Sequence, residues 1–254
     1  MNIYEITFSP TGGTKRVSGI VTGVLGQPVK QIDLTDRTAD FCSLHFGPED
    51  LCVVSVPSYG GRVPEVAVKR LKEMSGGGAS AVLIAVYGNR AYEDTLLELQ
   101  DTLCGAGFRC GAGIAAVAEH SIMHQFASGR PDEEDCRVLA EFAKQIRDRI
   151  EAGTFPETVE LPGTNPYREY GGVPLKPKEG KHCTKCGLCA KTCPVGAISA
   201  EDPAKTDTKA CISCMRCVAV CPTKNRRVSS LMVKVASTKM KKACSVRKDC
   251  ELYL

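Results

Sequence analysis

Eight cysteines near the C-terminal end constrain this chain more than any other feature. They fall in two runs of the pattern C-x2-C-x2-C-x3-C-P: Cys183, Cys186, Cys189, Cys193 and Pro194, then Cys211, Cys214, Cys217, Cys221 and Pro222. An iron–sulfur cubane needs four thiolates in a tetrahedral array. Zinc also accepts paired C-x2-C units but stops at four ligands. It gives no reason for a third cysteine at the same spacing, a fourth three residues on and a proline, all repeated. The proline after each fourth cysteine ends a local helix and turns the chain.

Each run resembles those of the bacterial two-cluster ferredoxins. The resemblance implies two 4Fe-4S clusters, with the fourth cysteine of each run facing the other cluster. Cys183, Cys186, Cys189 and Cys221 would hold one; Cys211, Cys214, Cys217 and Cys193 would hold the second. Val195, Ala197, Ile198, Ile212, Val218 and Val220 make a small core, so the clusters supply much of the folding energy. One departure is the sequence after the second C-P, TKNRR, where VGAI follows the first. Its charges imply different packing in the second half, or a docking face.

The first 150 residues read as a separate domain. Hydrophobic residues make up 43% of the 254-residue chain, enough for a real core there. Residues 3–8 (IYEITF), 29–34 (VKQIDL), 51–56 (LCVVSV), 79–87 (ASAVLIAVY) and 107–118 have the β-branched and apolar character of strands. Helical periodicity follows the first strand (Val17, Ile20, Val21, Val24), opens at Pro64, runs over Ala91–Leu103 and returns over 132–151. Gly111, Gly113 and Ala116 fit G-x-G-x-x-A, but a dinucleotide fingerprint must follow a strand and open a helix. Here the small residues lie within the strand and permit close packing.

Three loops at the carboxyl ends of these strands carry the candidate ligand chemistry. The first, S-P-T-G-G-T, offers the Ser9, Thr11 and Thr14 hydroxyls, backbone freed by Gly12 and Gly13, and the start of a helix. The Walker pattern is absent, so uncharged donors suit a phosphate monoester better than a nucleotide triphosphate; the plain alternative is an ordinary capped turn. The second is Pro57, Ser58, Tyr59, Gly60, Gly61, with Tyr59 as an aromatic at a strand end. The third is the YGNRAYED tract, with Tyr87, Gly88, Asn89, Tyr92 and Asp94. The fifth strand exits through Glu119 and His120 on the same face.

The first loop, and more closely the YGNRAYED tract, resemble flavodoxins. That resemblance implies an α/β doubly wound parallel five-stranded sheet in the order 2-1-3-4-5, with FMN at the switch between strands one and three. It also implies that Tyr59 and Tyr92, with Tyr87, flank the flavin ring and that the Gly88–Asn89 backbone meets its pyrimidine edge. His120 is read as a flavin-edge contact, an acid–base group or a plain loop residue. A metal held by His120 and His124 lacks a third ligand.

Composition closes off other classes. No leader or membrane-length apolar run is evident, and fifteen cysteines without a leader suit a reducing, cytoplasmic compartment. Residues 223–254 hold nine Lys or Arg against two Asp or Glu. That charge implies docking within the molecule, an acidic partner or simply a solvated surface; no nucleic-acid motif accompanies it. Cys42, Cys52, Cys104, Cys110 and Cys136 are read as mostly buried apolar thiols. The divisions expected are 1–153, 154–180 (a Pro-rich linker packed through Tyr167 and Tyr170), 181–228 (a small α+β two-cluster ferredoxin domain) and 229–254.

The whole chain thus resembles the flavodoxin–ferredoxin fusion proteins of anaerobes. The resemblance implies electron transfer between two 4Fe-4S clusters and FMN, with redox partner proteins as donor and acceptor. The alternative is an FMN-dependent reductase of a small molecule or quinone, using His120, Arg62 and Arg90.

Overall fold

A computed structural model describes residues 1–254. Its first half places every expected strand: β1 (Asn2–Thr7), β2 (Val29–Asp33), β3 (Asp50–Pro57), β4 (Ser80–Tyr87) and β5 (Arg109–Val117). Helices α1 (Gly13–Leu25), α2 (Glu65–Lys72), α3 (Thr95–Gly105) and α4 (Glu133–Glu151) alternate with them. The strands pair in parallel in the order β2-β1-β3-β4-β5, so the order reverses between β1 and β3, where open α/β sheets bind ligands. Strands β3 and β4 are buried on both faces, which is why they read as unbroken apolar runs. Val17, Val21, Leu139 and Ile146 from α1 and α4 cover one face of the sheet. Leu71, Leu96, Leu99 and Leu103 from α2 and α3 cover the other.

Residues 154–177 run back over this domain. Phe155 and Leu161 sit where β5 lacks side chains: a Cβ on Gly111 would strike the Phe155 ring, and one on Gly113 would strike Leu161. The G-x-G-x-x-A stretch is therefore strand, smoothed so that the linker can lie flat on it. Tyr167 hydrogen-bonds Asp101 and lies under the Arg62 guanidinium, 4.8 Å from the ring centre.

The second half is made of β6 (Lys178–Glu179), α5 (Leu188–Lys191), α6 (Arg216–Ala219), β7 (Arg226–Arg227), α7 (Ser230–Cys244) and β8 (Glu251–Tyr253). The two cysteine runs share one backbone design. Lys185 and Ser213, Gly187 and Met215, and Gly196 and Lys224 occupy matching places, and all six have positive φ, from 52° to 72°. These left-handed residues curl each run inward. Lys224 adopts, without being glycine, the conformation that Gly196 takes in the first half.

Four expectations change here. The sheet has six strands, because β8 adds antiparallel to β5, pairing Tyr253 with Gly113. The C-terminal segment therefore extends the sheet edge. Among the TKNRR cations, Arg226 is 3% exposed and faces no partner surface. Only Cys52 and Cys110 of the five isolated cysteines are buried; Cys42 and Cys104 are exposed and Cys136 is intermediate. Ile212 packs against the large sheet domain, while Val195, Ala197, Ile198 and Val218 form the small core.

The halves are tied by specific contacts. Arg70 donates to the Leu34 carbonyl at 2.5 Å and to the Pro194 carbonyl at 2.8 Å. Arg216 reaches the Pro10 and Ser9 carbonyls at 3.4 and 3.5 Å. In the basic tail, Arg247 pairs with Asp132 at 2.6 Å and Glu134 at 3.1 Å.

Candidate cofactor sites

The crevice at the β1/β3 reversal is assembled from all the expected loops. A cavity of about 130 Å³ is lined by Thr11, Gly13 and Thr14 from the first loop and Pro57, Ser58, Tyr59 and Gly60 from the second. Tyr87, Gly88, Glu119 and His120 complete it. Thr11 to Thr14 stand at the N-terminus of α1, where Gly12 holds φ at 94°. The helix start presents N–H groups and a positive dipole end, and no lysine or arginine lines this cavity. Ser9 stabilises the loop from inside, its Oγ accepting from the Lys15 N–H at 2.9 Å.

At the far end the cavity shares Ser58, Gly60, Tyr87, Gly88 and His120 with a second one of about 570 Å³. Leu231, Met232, Val235 and Met240 of α7 roof it, and Val173 to Leu175 of the linker wall it. The crevice thus runs from hydroxyls and backbone N–H groups to an aromatic and aliphatic chamber. A phosphate monoester joined to a flat ring system fits that gradient.

His120 stands at the junction. Its Nδ1 accepts the N–H groups of Ile122 and Met123 at 3.1 and 3.2 Å, which leaves the ring proton on Nε2. Burial lowers its pKa to about 4, so it is a neutral donor near pH 7. A Cβ on Gly88 would lie 2.7 to 2.9 Å from His120 atoms, which explains the glycine. His124 turns away and pairs with Glu119 at 2.7 Å, so the two histidines do not converge.

The side chains of three residues expected at the flavin have partners in the linker and tail. Asn89, at φ 64°, donates to the Cys244 and Val246 carbonyls, both at 2.8 Å, and accepts the Lys248 N–H at 3.2 Å. Tyr92 Oη lies 2.7 Å from both Glu251 and Tyr253, so its ring is held toward β8. Asp94 accepts the N–H groups of Thr164 and Arg168 at 2.8 and 2.7 Å and so clamps the linker. Gly61, at φ 87°, abuts Glu93 and Arg168 beside that clamp. Arg62 is bound by Glu98 at 2.7 and 2.8 Å, and Arg90 pairs with Glu93.

Sequence reasoning missed Tyr170, Val173, Ile212 and Ser213, all of which line the crevice. Tyr170 stacks on Gly60, where a Cβ would collide with its ring. Burial, followed by the nearby Cys214 and Tyr170, pushes the Tyr59 phenol well above its ordinary range. The cysteine runs and the crevice are therefore neighbours.

Within the small domain, Cys193, Cys211, Cys214 and Cys217 line a single cavity, the foursome with the exchanged fourth member. Burial pushes Cys214 up to about 12 and Cys217 up to about 11, and the neighbouring thiols add to both shifts. Two buried thiols that resist ionising alone, on a cavity shared with Cys193 and Cys211, suit a centre whose iron supplies the positive charge. Two arginine Nε–H groups without partners, those of Arg216 and Arg226, belong to residues of the same cavity and suit a sulfur-rich anion. In the other foursome, Cys221 Sγ accepts the Asn225 N–H at 3.2 Å and Cys189 Sγ lies 3.8 Å from Arg226. Burial raises the Cys221 thiol, but hydrogen bonds from Thr223, Asn225 and Arg226 outweigh it and leave the pKa lowered.

The molecule thus joins a flavodoxin-like, mostly parallel sheet domain to a small ferredoxin-type domain. Residues 182–225 match the family described as 4Fe-4S dicluster domain, which carries with it at least one 4Fe-4S cluster. Among solved structures, a flavodoxin of Streptococcus pneumonia TIGR4 is similar at 19% identity, covering 58% of this chain and 97% of its own, with a TM-score of 0.41. Flavodoxin 2 from Bacillus cereus is similar at 13% identity, covering 57% and 96%, with a TM-score of 0.42. The apo form of an NADH:FMN oxidoreductase is similar at 15% identity, covering 57% and 88%, with a TM-score of 0.43. No curated protein sequence matches the chain. No helix is long and apolar enough to cross a membrane.

Proposed function

We propose that this chain binds FMN in the sheet crevice and two 4Fe-4S clusters in the cysteine domain, and that it relays electrons between them. The divisions are then a flavin domain (1–153), a linker (154–180), a two-cluster domain (181–228) and a C-terminal roof (229–254). The observation that carries the reading is the position of Ile212 and Ser213. These residues, between the ligand candidates Cys211 and Cys214, line the flavin crevice themselves. A cubane moves single electrons and a flavin takes one or two, so the pair supplies conversion between the two currencies. Thr11 to Thr14 would hold the phosphate, Tyr59 and Gly60 one side of the ring, and Gly88 and His120 its edge. Linker and α7 exclude water from that edge. Redox proteins are the partners this reading requires, and the thiolate chemistry suits a reducing cytoplasm.

Anaerobically purified protein should contain iron and sulfide for two cubanes per acid-released FMN. Dithionite should bleach both chromophores with internal equilibration. Protein in which reduced clusters leave the bound flavin oxidised would rule the relay out.

A second reading is an FMN-dependent reductase. The chamber under α7 favours it, because it widens beyond the first cavity and sets the donors His120 Nε2–H, Arg90 and Lys239 among methionine and aliphatic side chains. Turnover of a small quinone, lost in His120→Ala with FMN still bound, would select it over the carrier.

A further inference from the structure

Arg226 is the least expected cation in the chain. It is 3% exposed, in a two-strand ribbon where Glu179 is its backbone neighbour. Its Nη1 donates to the Pro203 carbonyl at 2.7 Å and approaches Cys189 Sγ at 3.8 Å. Its Nη2 donates to Thr206 Oγ1 at 2.7 Å and the Pro177 carbonyl at 3.4 Å. None of these acceptors is a carboxylate, and the Nε–H has no acceptor at all. A buried guanidinium without a counter-charge is strongly unfavourable, and a guanidinium does not escape by losing its proton.

The missing negative charge belongs in the cysteine cavities. Arg226 touches Cys189 of one foursome and lines the cavity of Cys193, Cys211, Cys214 and Cys217, which holds the other. Arg216 lies on the flavin side, lining the Cys193–Cys211–Cys214–Cys217 cavity with its own Nε–H unpartnered while Nη1 reaches Pro10.

We infer that Arg226 and Arg216 are the counter-charges of the two cluster sites and set how readily each bound cluster accepts an electron. Arg226 stands between the sites and acts on both; Arg216 acts on the crevice-facing one alone. The inference rests on the two-cluster reading above. A cubane with four thiolate ligands is anionic, and reduction adds one further negative charge. A fixed cation at hydrogen-bond range favours that added charge, and N–H donors to sulfur spread it.

The test is an EPR-monitored redox titration of the full-length holoprotein. Dithionite, itself oxidised to sulfite, supplies the electrons. Arg226→Gln keeps an amide donor and removes the charge; both cluster midpoints should fall by about 59 mV, a tenfold loss in reducibility for a one-electron couple. Arg226→Lys, which keeps the charge, should restore most of that loss. Arg216→Gln should lower one midpoint and leave the other in place. Full iron and sulfide content with both midpoints unmoved in the glutamine variants would overturn the inference. If Arg226→Gln does not retain iron, Arg216→Gln decides alone: one lowered midpoint supports the inference and none overturns it. A wild-type protein without clusters would instead overturn the two-cluster reading, and this inference with it.

Discussion

The Asn89 side chain ties down the C-terminal segment, while the flavin contact expected at this position belongs to the Gly88–Asn89 backbone. The side chain is buried and holds the segment by three hydrogen bonds, to the Cys244 and Val246 carbonyls and from the Lys248 N–H. Replacement by glycine removes all three and suits the positive φ of 64°, so backbone strain does not confuse the result. At roughly 1 kcal/mol net per hydrogen bond, partly recovered by water, the segment loses about 2 kcal/mol of local stability. That corresponds to about thirtyfold more frequent opening. Hydrogen exchange followed by mass spectrometry reads this directly. Peptides over 244–253 should exchange about thirtyfold faster, while those of β3 and β4 stay as protected as in the parent. Unchanged exchange in the segment would refute the reasoning.

Three further outcomes follow from the geometry. His120 titrates at about 4 when folded and near 6.5 when not, so the unfolded chain binds more protons between those values. Stability should therefore fall as pH drops from about 6.5 to 4, by up to roughly 3 kcal/mol, and His120→Gln should flatten that slope in urea melts. Gly88→Ala should weaken FMN binding at least tenfold by displacing the His120 ring, measured by flavin fluorescence; unchanged affinity would remove Gly88–His120 from the site. Arg70→Met severs the bonds to Leu34 and Pro194 and should cost about 2 kcal/mol, with the cysteine domain cut earlier in limited proteolysis.

What was legible in the sequence depended on whether local pattern decided it. The five parallel strands are unbroken apolar or β-branched runs, and their burial on both faces leaves no alternative for LCVVSV or SAVLIAVY. That the Thr11–Thr14 loop and His120 meet at one crevice was legible because strand ends and turns are local. The side-chain partners of Asn89, Tyr92 and Asp94 were not, because they lie 70 to 161 residues away, in the linker and the tail. A tyrosine engaged by a distant Glu251 reads in one dimension like a tyrosine free to stack. For the same reason the sequence left two readings of TKNRR open, and the burial of Arg226 favours different packing over a docking face. A cation in a short core looks like surface until Pro203, Thr206 and Cys189 are seen around it.

Strand β8 closes the sheet from the far end of the chain. On a ribosome the parallel strands emerge long before it does, as do both cysteine runs. Until then β5 shows an open edge, the one Gly113, Ile114 and Ala115 give to β8.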